Sequence, residues 1–301
     1  MDKVIIIVGP TGIGKSKLAV QLAKHYDTEI INGDAFQTYK HLDIGTAKIT
    51  KKEMQKVKHH LLDINDPKEE FSVAKYQKMV RRLIEKFNHK HKTPILVGGS
   101  GLYIDSVIRD YRFTDNARDE NVEIKYANST NEEIHAILAK LDYETSLEIH
   151  PNNRKRVLRA IEMVLHDSSS IEKKLAEHIL YDACILYLNT ARNVLYKRIN
   201  ERVNQMMESG LLREAKHLFD AEVFTQATKA IGYKELFSYF KEEITLAEAI
   251  DKIKQNSRNY AKRQLTWFRN KTKGTVLEVD FERPDELVTS AIQLIDQHFK
   301  K

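Results

Sequence analysis

Residues 9–16 have the types and the spacing of a phosphate-binding loop. They read Gly-Pro-Thr-Gly-Ile-Gly-Lys-Ser and match the pattern G-x-x-x-x-G-K-S/T at every fixed position. Glycines let main-chain N–H groups converge on an anion, and the N-terminus of the following helix adds a positive dipole. In such a loop Lys15 would hold a terminal phosphate and Ser16 would ligate Mg²⁺. The pattern indicates a polyphosphate ligand but not a particular nucleotide, and an ordinary glycine-rich turn is the alternative.

A carboxylate, Asp34, follows the next predicted strand. Residues 29–31 read as that strand, which leads into Asn32-Gly33-Asp34. Because ligands of open α/β sheets bind beyond the carboxyl ends of the strands, we expect Asp34 to face the phosphate loop. There it could act as a general base, accept a hydrogen bond from a substrate or contact a metal indirectly. A helix N-cap is an equally good interpretation, since aspartate is a favourable cap.

A second glycine-rich turn, Gly98-Gly99-Ser100-Gly101, follows a third predicted strand at residues 94–97. Glycines at a strand end suggest that the backbone closely approaches a ligand there. The strand is not followed by the aspartate that the metal-binding strand of a typical ATPase carries. This difference argues against simple ATP hydrolysis.

Two arginines lie on a helix that is predicted to follow the strand at 183–188. Arg198 and Arg202 are four residues apart and therefore share one helix face. A planar guanidinium grips two phosphate oxygens at once, so this pair suits a pyrophosphate clamp. The alternative is an ion pair with a neighbouring glutamate such as Glu201 or Glu208.

Basic residues cluster in two places. Four fall within six positions at Arg154, Lys155, Arg156 and Arg159, and residues 252–273 contain eight basic residues and no acidic one. Exposed helix faces usually mix the two signs, so the one-signed stretch indicates contact with a polyanion. A solvated basic face is the alternative for the first cluster.

The elements that would position these residues alternate along the chain. An apolar run at 4–8, the glycine loop and the helical spacing of apolar residues at 18–23 predict a strand, a turn and a helix. Strands followed by glycine turns or helices recur at 29–31, 94–97 and 183–188. The sequence therefore predicts an α/β fold with a P-loop NTPase-like core, in which helices flank a parallel sheet.

The alternation stops between residues 111 and 181, where apolar residues fall at helical spacing. We therefore predict an inserted all-helical subdomain at 112–181 and a catalytic core made of residues 1–111 and 182–301. The last long helix is predicted at about 246–270, with its buried stripe at Leu246, Ile250, Ile253, Tyr260 and Trp267.

The bulk composition limits the class of protein. The chain has 301 residues, of which 42% are hydrophobic and 31% charged, with a net charge of +6. These values are typical of a globular protein with an anionic partner. The single cysteine, Cys184, excludes an internal disulfide and a zinc site built from cysteines. We expect a cytoplasmic protein, since no signal peptide or run of membrane-spanning length is present.

Together these stretches make the chain resemble the tRNA dimethylallyltransferases, also called isopentenyl-tRNA transferases. The resemblance covers nearly the whole chain and combines many separate motifs, of which the phosphate loop alone would be generic. The others lie at residues 33–39, 43–48, 59–63, 71–73, 98–103, 149–159, 202–210, 230–236 and 260–269. The chain departs from the usual family residues at Ala35, often serine, and at Ser100, often threonine.

The resemblance implies transfer of the dimethylallyl group from dimethylallyl diphosphate to N6 of the adenosine at position 37 of tRNA. The acceptors would be tRNAs that read codons beginning with U, bound by the anticodon stem-loop. Separately from the resemblance, we expect a monomer. The implied catalytic residues are Asp34, Arg202, Thr11 and Lys15, with Mg²⁺ as cofactor and Ser16 as its ligand. The target base would leave the anticodon stack to reach Asp34.

The resemblance also assigns binding residues. The implied diphosphate-binding residues are Gly9, Pro10, Thr11, Gly12, Ile13, Gly14, Lys15 and Ser16. The implied tRNA-binding residues are Asp34, Ala35, Phe36, Gln37, Ser100, Lys155, Arg156, Arg159, Lys229, Lys234, Arg258, Lys262, Arg263 and Arg269.

Two other functions share some of these features. A small-molecule kinase of the P-loop type would also use the loop, the Mg²⁺ serine and an arginine-bearing helix, but it would bind adenine and would not need the basic C-terminal helix. A non-catalytic RNA-binding protein would keep the loop for structure alone. A kinase would transfer phosphate from ATP instead of the labelled group of dimethylallyl diphosphate. In a non-catalytic RNA-binding protein, Asp34→Ala would leave every activity unchanged.

Overall fold

The protein is described by a computed structural model, which covers residues 1–111, 113, 120–165, 178–272 and 274–300. The chain divides into two compact units. The larger unit is formed by Met1–Ile108 with Tyr181–Lys301, and the smaller one by Arg109–Leu180. Of the predicted subdomain, residues 112, 114–119 and 166–177 lie outside the described residues, as does Lys273 in the basic stretch.

A parallel sheet forms the centre of the larger unit. Its strands are β1 (Lys3–Val8), β2 (Ile30–Asn32), β3 (His59–His60), β4 (Ile95–Gly98), β5 (Asp182–Asn189) and β6 (Thr275–Glu278). Within the described residues it has six strands in the order β3-β2-β4-β1-β5-β6, and every neighbouring pair is parallel. The predicted α/β fold with a parallel sheet is confirmed. The carboxyl ends of the strands share one edge, where ligands of such sheets bind.

The residues of β1 explain its central place. Val4, Ile5, Ile6, Ile7 and Val8 are all buried, as expected for a parallel strand that is covered on both faces. β1 pairs with β4 on one side and with β5 on the other. The loop at 9–16 therefore starts at the middle of the sheet.

Four helices precede the smaller unit in the described part of the chain. They are α1 (Lys15–His25), α2 (Lys51–Met54), α3 (Val73–Asn88) and α4 (Gly101–Ile108). Ser72 is the N-cap of α3, because its side chain accepts a hydrogen bond from the N–H of Lys75 at 3.1 Å.

The described elements of the smaller unit are mainly helices. They are α5 (Glu120–Lys125), α6 (Asn131–Leu141), α7 (Tyr143–Glu148) and α8 (Arg154–Leu165). Their own core includes Ile134, Leu138, Val157 and Ile161, all fully buried. Arg154 turns inward and donates to the carbonyl of Ser129 at 2.6 Å, so this basic residue holds the turn before α6.

The chain after β5 adds α9 (Arg192–Glu208), α10 (Leu211–Asp220), α11 (Tyr233–Phe240), α12 (Leu246–Lys271) and α13 (Pro284–Phe299). The prediction that α12 is the last long helix is wrong, because α13 follows it, and β6 was not predicted either. Tyr260 and Trp267 are only partly buried. In the described part of the chain, no helix combines the length and the apolar character needed to cross a bilayer.

Candidate active site

The phosphate loop joins β1 to α1 at the centre of the sheet. Gly9 directly follows β1 and lies close to β5. A Cβ atom on Gly9 would be 2.8 Å from the carbonyl oxygen of Leu188. Gly14, with φ of +96°, precedes the first residue of α1 in the left-handed region that favours glycine. The strand, turn and helix that the motif requires are therefore all present.

Lys15 folds back onto its own loop. Its ammonium donates to the carbonyl oxygens of Gly9 and Pro10, each at 2.8 Å. Burial lowers the pKa of Lys15 to about 7, against the opposing attraction of Asp34, and the positive charge of Arg202 lowers it further. An anionic ligand bound at the loop would therefore favour the protonated, positively charged form of Lys15.

Asp34 follows β2 at the same edge of the sheet. Its Oδ1 atom accepts the main-chain N–H of Phe36 at 3.0 Å, which makes a local turn and not the helix N-cap that the sequence also allowed. Asn32, which is buried, accepts the Asp34 N–H at 3.0 Å and donates to its carbonyl at 2.9 Å. Burial raises the pKa of Asp34, while Lys15 and Arg202 partly oppose that shift.

The arginines of α9 reach the phosphate loop and the loop at 43–48. Arg198 donates through Nε to the carbonyl of Gly12 at 3.2 Å, and its guanidinium lies 3.8 Å from the ring centroid of Phe281. Arg202 donates to the carbonyl of Ala47 at 3.4 Å. Burial lowers the pKa of Arg202, against the attraction of Asp34. Lys15, Asp34 and Arg202 therefore interact in one charged cluster.

The second glycine turn lies against the phosphate loop. The Oγ of Ser100 accepts the main-chain N–H of Ala35 at 3.2 Å, which ties this turn to the segment that carries Asp34. Gln264 of α12 bridges the two glycine turns: its Nε2 donates to the carbonyl of Gly99 and its Oε1 accepts the N–H of Thr11, both at 2.9 Å. Three loops and one helix thus converge at the site.

Tyr260 extends the same face of α12, four residues before Gln264. Burial raises the pKa of its hydroxyl above the usual range. The charge of Asp34 acts on this phenol as well. Tyr260 therefore borders the candidate site, although the sequence indicated only a core residue.

A single carboxylate anchors the loop at 43–48. Glu214 of α10 accepts the main-chain N–H groups of Asp43, Ile44 and Gly45 at 2.9–3.1 Å, and the hydroxyl of Tyr233 at 2.7 Å. Gly45 is required by space, because a Cβ atom there would lie 2.6 Å from the Tyr233 ring. This anchor sets the position of the carbonyl that Arg202 contacts.

The predicted RNA-binding residues differ in how free their side chains are. Those with exposed side chains are Lys155, Arg156, Lys229, Lys234, Lys262, Arg263 and Arg269. Arg159 is partly buried and pairs with Glu162 at 2.5 Å, and Arg258 donates to Asn200 at 2.6 Å. Gln37 donates to the carbonyl of Thr46 at 3.0 Å.

The oxygen donors near the loop suit a hard cation. Ser16 lies beside Lys15 at the start of α1, and its side chain is exposed. Clusters of three or more His, Cys, Asp or Glu side chains that could hold a metal are absent from the described residues. Mg²⁺ commonly takes one or two protein oxygens and completes its shell with phosphates and water, so the Ser16 hydroxyl fits this requirement.

Comparison with known proteins identifies the family. The sequence model of the family described as IPP transferase matches residues 37–271. The chain belongs to the IPP transferase family. A tRNA dimethylallyltransferase of Bacillus subtilis is 49% identical over 280 residues, which are 90% of this chain and 89% of the relative.

Solved structures of this family share the fold. The full-length tRNA isopentenylpyrophosphate transferase of Bacillus halodurans is 43% identical, with a TM-score of 0.75 over 100% of this chain and 99% of that one. A eukaryotic dimethylallyltransferase acting on tRNA is 27% identical, with a TM-score of 0.84 over 99% of this chain and 79% of that one. Neither a kinase nor a non-catalytic RNA-binding protein is supported by these IPP transferase relatives.

Two residues of this IPP transferase site were missed by the sequence interpretation. Gln264 lies in a recognised motif of the family, but only its basic neighbours drew attention because charge suggested RNA. Glu214 lies outside every motif that carried the resemblance. Both act on loops that are distant in sequence, and a glutamine at a buried helix position was the one available signal for Gln264.

Proposed function

We propose that this protein transfers the dimethylallyl group of dimethylallyl diphosphate to N6 of the adenosine at position 37 of tRNA. The acceptors would be tRNAs that read codons beginning with U, and the products would be N6-(dimethylallyl)adenosine and diphosphate. The observation that carries this proposal is the charged cluster of Lys15, Asp34 and Arg202 at the carboxyl ends of the strands. In this cluster, two cations that can bind a diphosphate lie near a carboxylate that can accept a proton from an amine.

The diphosphate end of the site would use the phosphate loop. The loop residues from Gly9 to Ser16 would surround the leaving group, and the α1 N-terminus adds its dipole. The Lys15 ammonium would exchange its hydrogen bonds to the carbonyls of Gly9 and Pro10 for hydrogen bonds to the diphosphate. Arg202 of α9 would contact the diphosphate as well. Both cations would then stabilise the charge that builds as the carbon–oxygen bond breaks.

Asp34 would act at the acceptor. The N6 nitrogen of adenine forms a bond to the first carbon of the dimethylallyl group, and the diphosphate leaves with the electron pair of the broken C–O bond. The proton lost from N6 would pass to the Asp34 carboxylate. A raised pKa makes this carboxylate a stronger base than an exposed aspartate, and Thr11 lies in the loop beside the same centre.

The RNA would be held by basic side chains that are exposed. Lys262, Arg263 and Arg269 lie on the outer side of α12, and Lys229 and Lys234 lie before and within α11. Lys155 and Arg156 are the exposed cations of α8 in the smaller unit. Such side chains would contact the phosphates of the anticodon stem-loop while the target base flips toward Asp34.

Mg²⁺ is the proposed cofactor, with the Ser16 hydroxyl as its protein ligand. When bound it would neutralise part of the diphosphate charge. We also propose that the enzyme acts as a monomer, since Lys15, Asp34 and Arg202 all come from one chain. Its proposed location is the cytoplasm.

A single assay tests the function. The protein is incubated with Mg²⁺, total tRNA and dimethylallyl diphosphate labelled in the dimethylallyl group, and the tRNA is digested to nucleosides. Label in N6-(dimethylallyl)adenosine supports the proposal. Phosphate transfer from ATP without transfer of the dimethylallyl label would contradict it and would favour a kinase.

A further inference from the structure

Gln264 is a buried polar side chain at the junction of two glycine turns. It is only 4% exposed, although it is carried by a helix whose neighbouring residues Lys262 and Arg263 are exposed. Its amide group donates to the carbonyl of Gly99 and accepts the N–H of Thr11, both at 2.9 Å. The two partners fix the orientation of the amide, because one is solely a donor and the other solely an acceptor.

The fold makes room for this amide. A Cβ atom on Gly99 would lie 2.2 Å from the Nε2 atom of Gln264, so any other residue there would displace the side chain. The Gly99 turn continues into Ser100, whose hydroxyl accepts the N–H of Ala35. Gln264 therefore lies between the loop that carries Thr11 and the turn that is tied to the Asp34 segment.

We propose that Gln264 is a positioning residue for the phosphate loop. It holds the Thr11 end of the loop at a fixed distance from the Gly99 turn, and so fixes the diphosphate relative to Asp34. The inference rests on the proposed function, because it takes residues 9–16 as the diphosphate site. Since the Thr11 N–H is bonded to Gln264, this N–H group is not available to the diphosphate.

Removing this contact should reduce catalysis through geometry. Reacting groups that are misplaced by about 1 Å can lose on the order of 10²-fold in rate. Gln264→Met keeps an unbranched side chain of similar length, but it removes the donor and the acceptor together. Gly99→Ala disturbs the same contact from the opposite side and leaves α12 unchanged, which gives a second variant if the first does not fold.

The experiment measures pyrophosphate affinity and transfer kinetics in the full-length protein. Calorimetry with inorganic pyrophosphate and Mg²⁺ is compared with kcat and KM for dimethylallyl diphosphate at saturating tRNA. The matched control is Gln255→Met, the same change at an exposed position of α12. For Gln264→Met and Gly99→Ala we expect about 10-fold weaker pyrophosphate binding and a fall in kcat of roughly 10- to 100-fold, with tRNA affinity and Gln255→Met within two-fold of the wild type.

The outcomes separate this inference from the proposed function. If folded Gln264→Met and Gly99→Ala keep pyrophosphate affinity and kcat within two-fold of the wild type, the positioning role is wrong. A lower melting temperature alone, with unchanged affinity and kcat, would also overturn it. If the wild type binds pyrophosphate but transfers no dimethylallyl group, the proposed function alone fails, and the affinities still test Gln264. A wild type that binds no pyrophosphate overturns the inference.

Discussion

Lys15 and Asp34 interact electrostatically at the carboxyl ends of the parallel strands, and burial moves their pKa values toward each other. The pKa of Lys15 falls to about 7, and the pKa of Asp34 rises. Each charge stabilises the other but does not cancel the effect of burial. A bound anion would raise the pKa of Lys15 and so restore its positive charge. The raised pKa of Asp34 makes its carboxylate a stronger base than that of an exposed aspartate.

Replacing Asp34 should slow the chemical step without loss of RNA binding. Asparagine can keep the turn in which Oδ1 accepts the N–H of Phe36, but it cannot take the N6 proton. We expect Asp34→Asn to lower kcat by about 10²–10⁴-fold, as for the loss of a general base. Single-turnover transfer and filter binding of tRNA measure the two effects.

Asp66→Asn is the matched control for this change. Asp66 is exposed, and its Oδ1 accepts the N–H of Lys68 two residues later, which is the same local geometry as at Asp34. This variant should keep wild-type turnover. Equal losses in the two variants would assign the effect to the turn rather than to the base.

Ligand binding should recharge Lys15. Its pKa is lowered from 10.5 to about 7, so at pH 8 the ammonium is largely deprotonated in the free protein. A bound diphosphate would raise that pKa, and binding at pH 8 should therefore take up protons. Calorimetry in buffers of different ionisation enthalpy measures the uptake, which Lys15→Met should abolish. An equal uptake in Lys15→Met would assign the proton to another group.

The same shift predicts how stability depends on pH. A lysine with a lowered folded pKa binds fewer protons than the unfolded chain between pH 7 and 10.5. Its contribution to the free energy of unfolding therefore increases with pH across that window. In denaturant titrations at pH 7 and pH 9, this increase should be smaller in Lys15→Met than in the wild type. A difference of the opposite sign would contradict the lowered pKa.

Loosening the Glu214 anchor should affect both stability and Arg202. Glu214→Gln replaces one acceptor oxygen by an amide that faces main-chain donors of the loop at 43–48. We expect a loss of about 1–3 kcal/mol in the free energy of unfolding, because main-chain donors, two of them partly buried, lose hydrogen bonds to a charged acceptor. KM for dimethylallyl diphosphate should rise, since Arg202 contacts the carbonyl of Ala47.

Tyr233→Phe is the comparison for Glu214→Gln. It removes one hydrogen bond to Glu214 and leaves the three main-chain donors in place. Its effect on KM should be smaller than that of Glu214→Gln. An unchanged KM in Glu214→Gln would show that the loop does not position Arg202.

The exposed cations of α12 should contribute to the salt dependence of tRNA binding. Lys262→Ala should weaken binding across all tRNAs and lower the slope of log K against log salt by roughly one. Lys24→Ala, an exposed lysine of α1 outside the basic stretch, serves as the control. An unchanged slope in Lys262→Ala would exclude a phosphate contact there.

Arg258 provides a second test on the same helix. Its guanidinium is partly buried and donates to Asn200 at 2.6 Å, so fewer of its N–H groups are available for RNA than those of an exposed arginine. Arg258→Ala should weaken tRNA binding less than Lys262→Ala does. A loss as large as that of Lys262→Ala would mean that Arg258 contacts a phosphate despite its partial burial.

The local parts of the structure could be predicted from the sequence, because short patterns specify them. The β1 run, the glycine loop and the helical spacing after Ser16 predicted the strand, turn and helix that carry Lys15. Topology alone predicted that Asp34 lies at the same edge as the loop, since strands of a parallel sheet end together. The cluster of Lys15, Asp34 and Arg202 is consistent with that expectation.

Contacts between distant segments could not be predicted in this way. Gln264 meets Thr11 across 253 residues of sequence, and Glu214 meets Asp43 across 171. Such pairs depend on how whole helices pack, which residue spacing does not encode. No pattern after residue 270 was assigned to an element, so the short strand β6 and the helix α13 were not predicted.

The order of the strands has a consequence for synthesis of the protein. β1 pairs with β4 and β5, yet about 80 residues separate the end of β4 from the start of β5. At about 5–20 residues per second, a ribosome needs on the order of ten seconds to make that stretch. During this interval the most apolar strand of the nascent chain has one open edge, which can pair wrongly with another chain. A ribosome-stalled fragment ending before Asp182 should therefore bind chaperones more strongly than one that extends past Asn189.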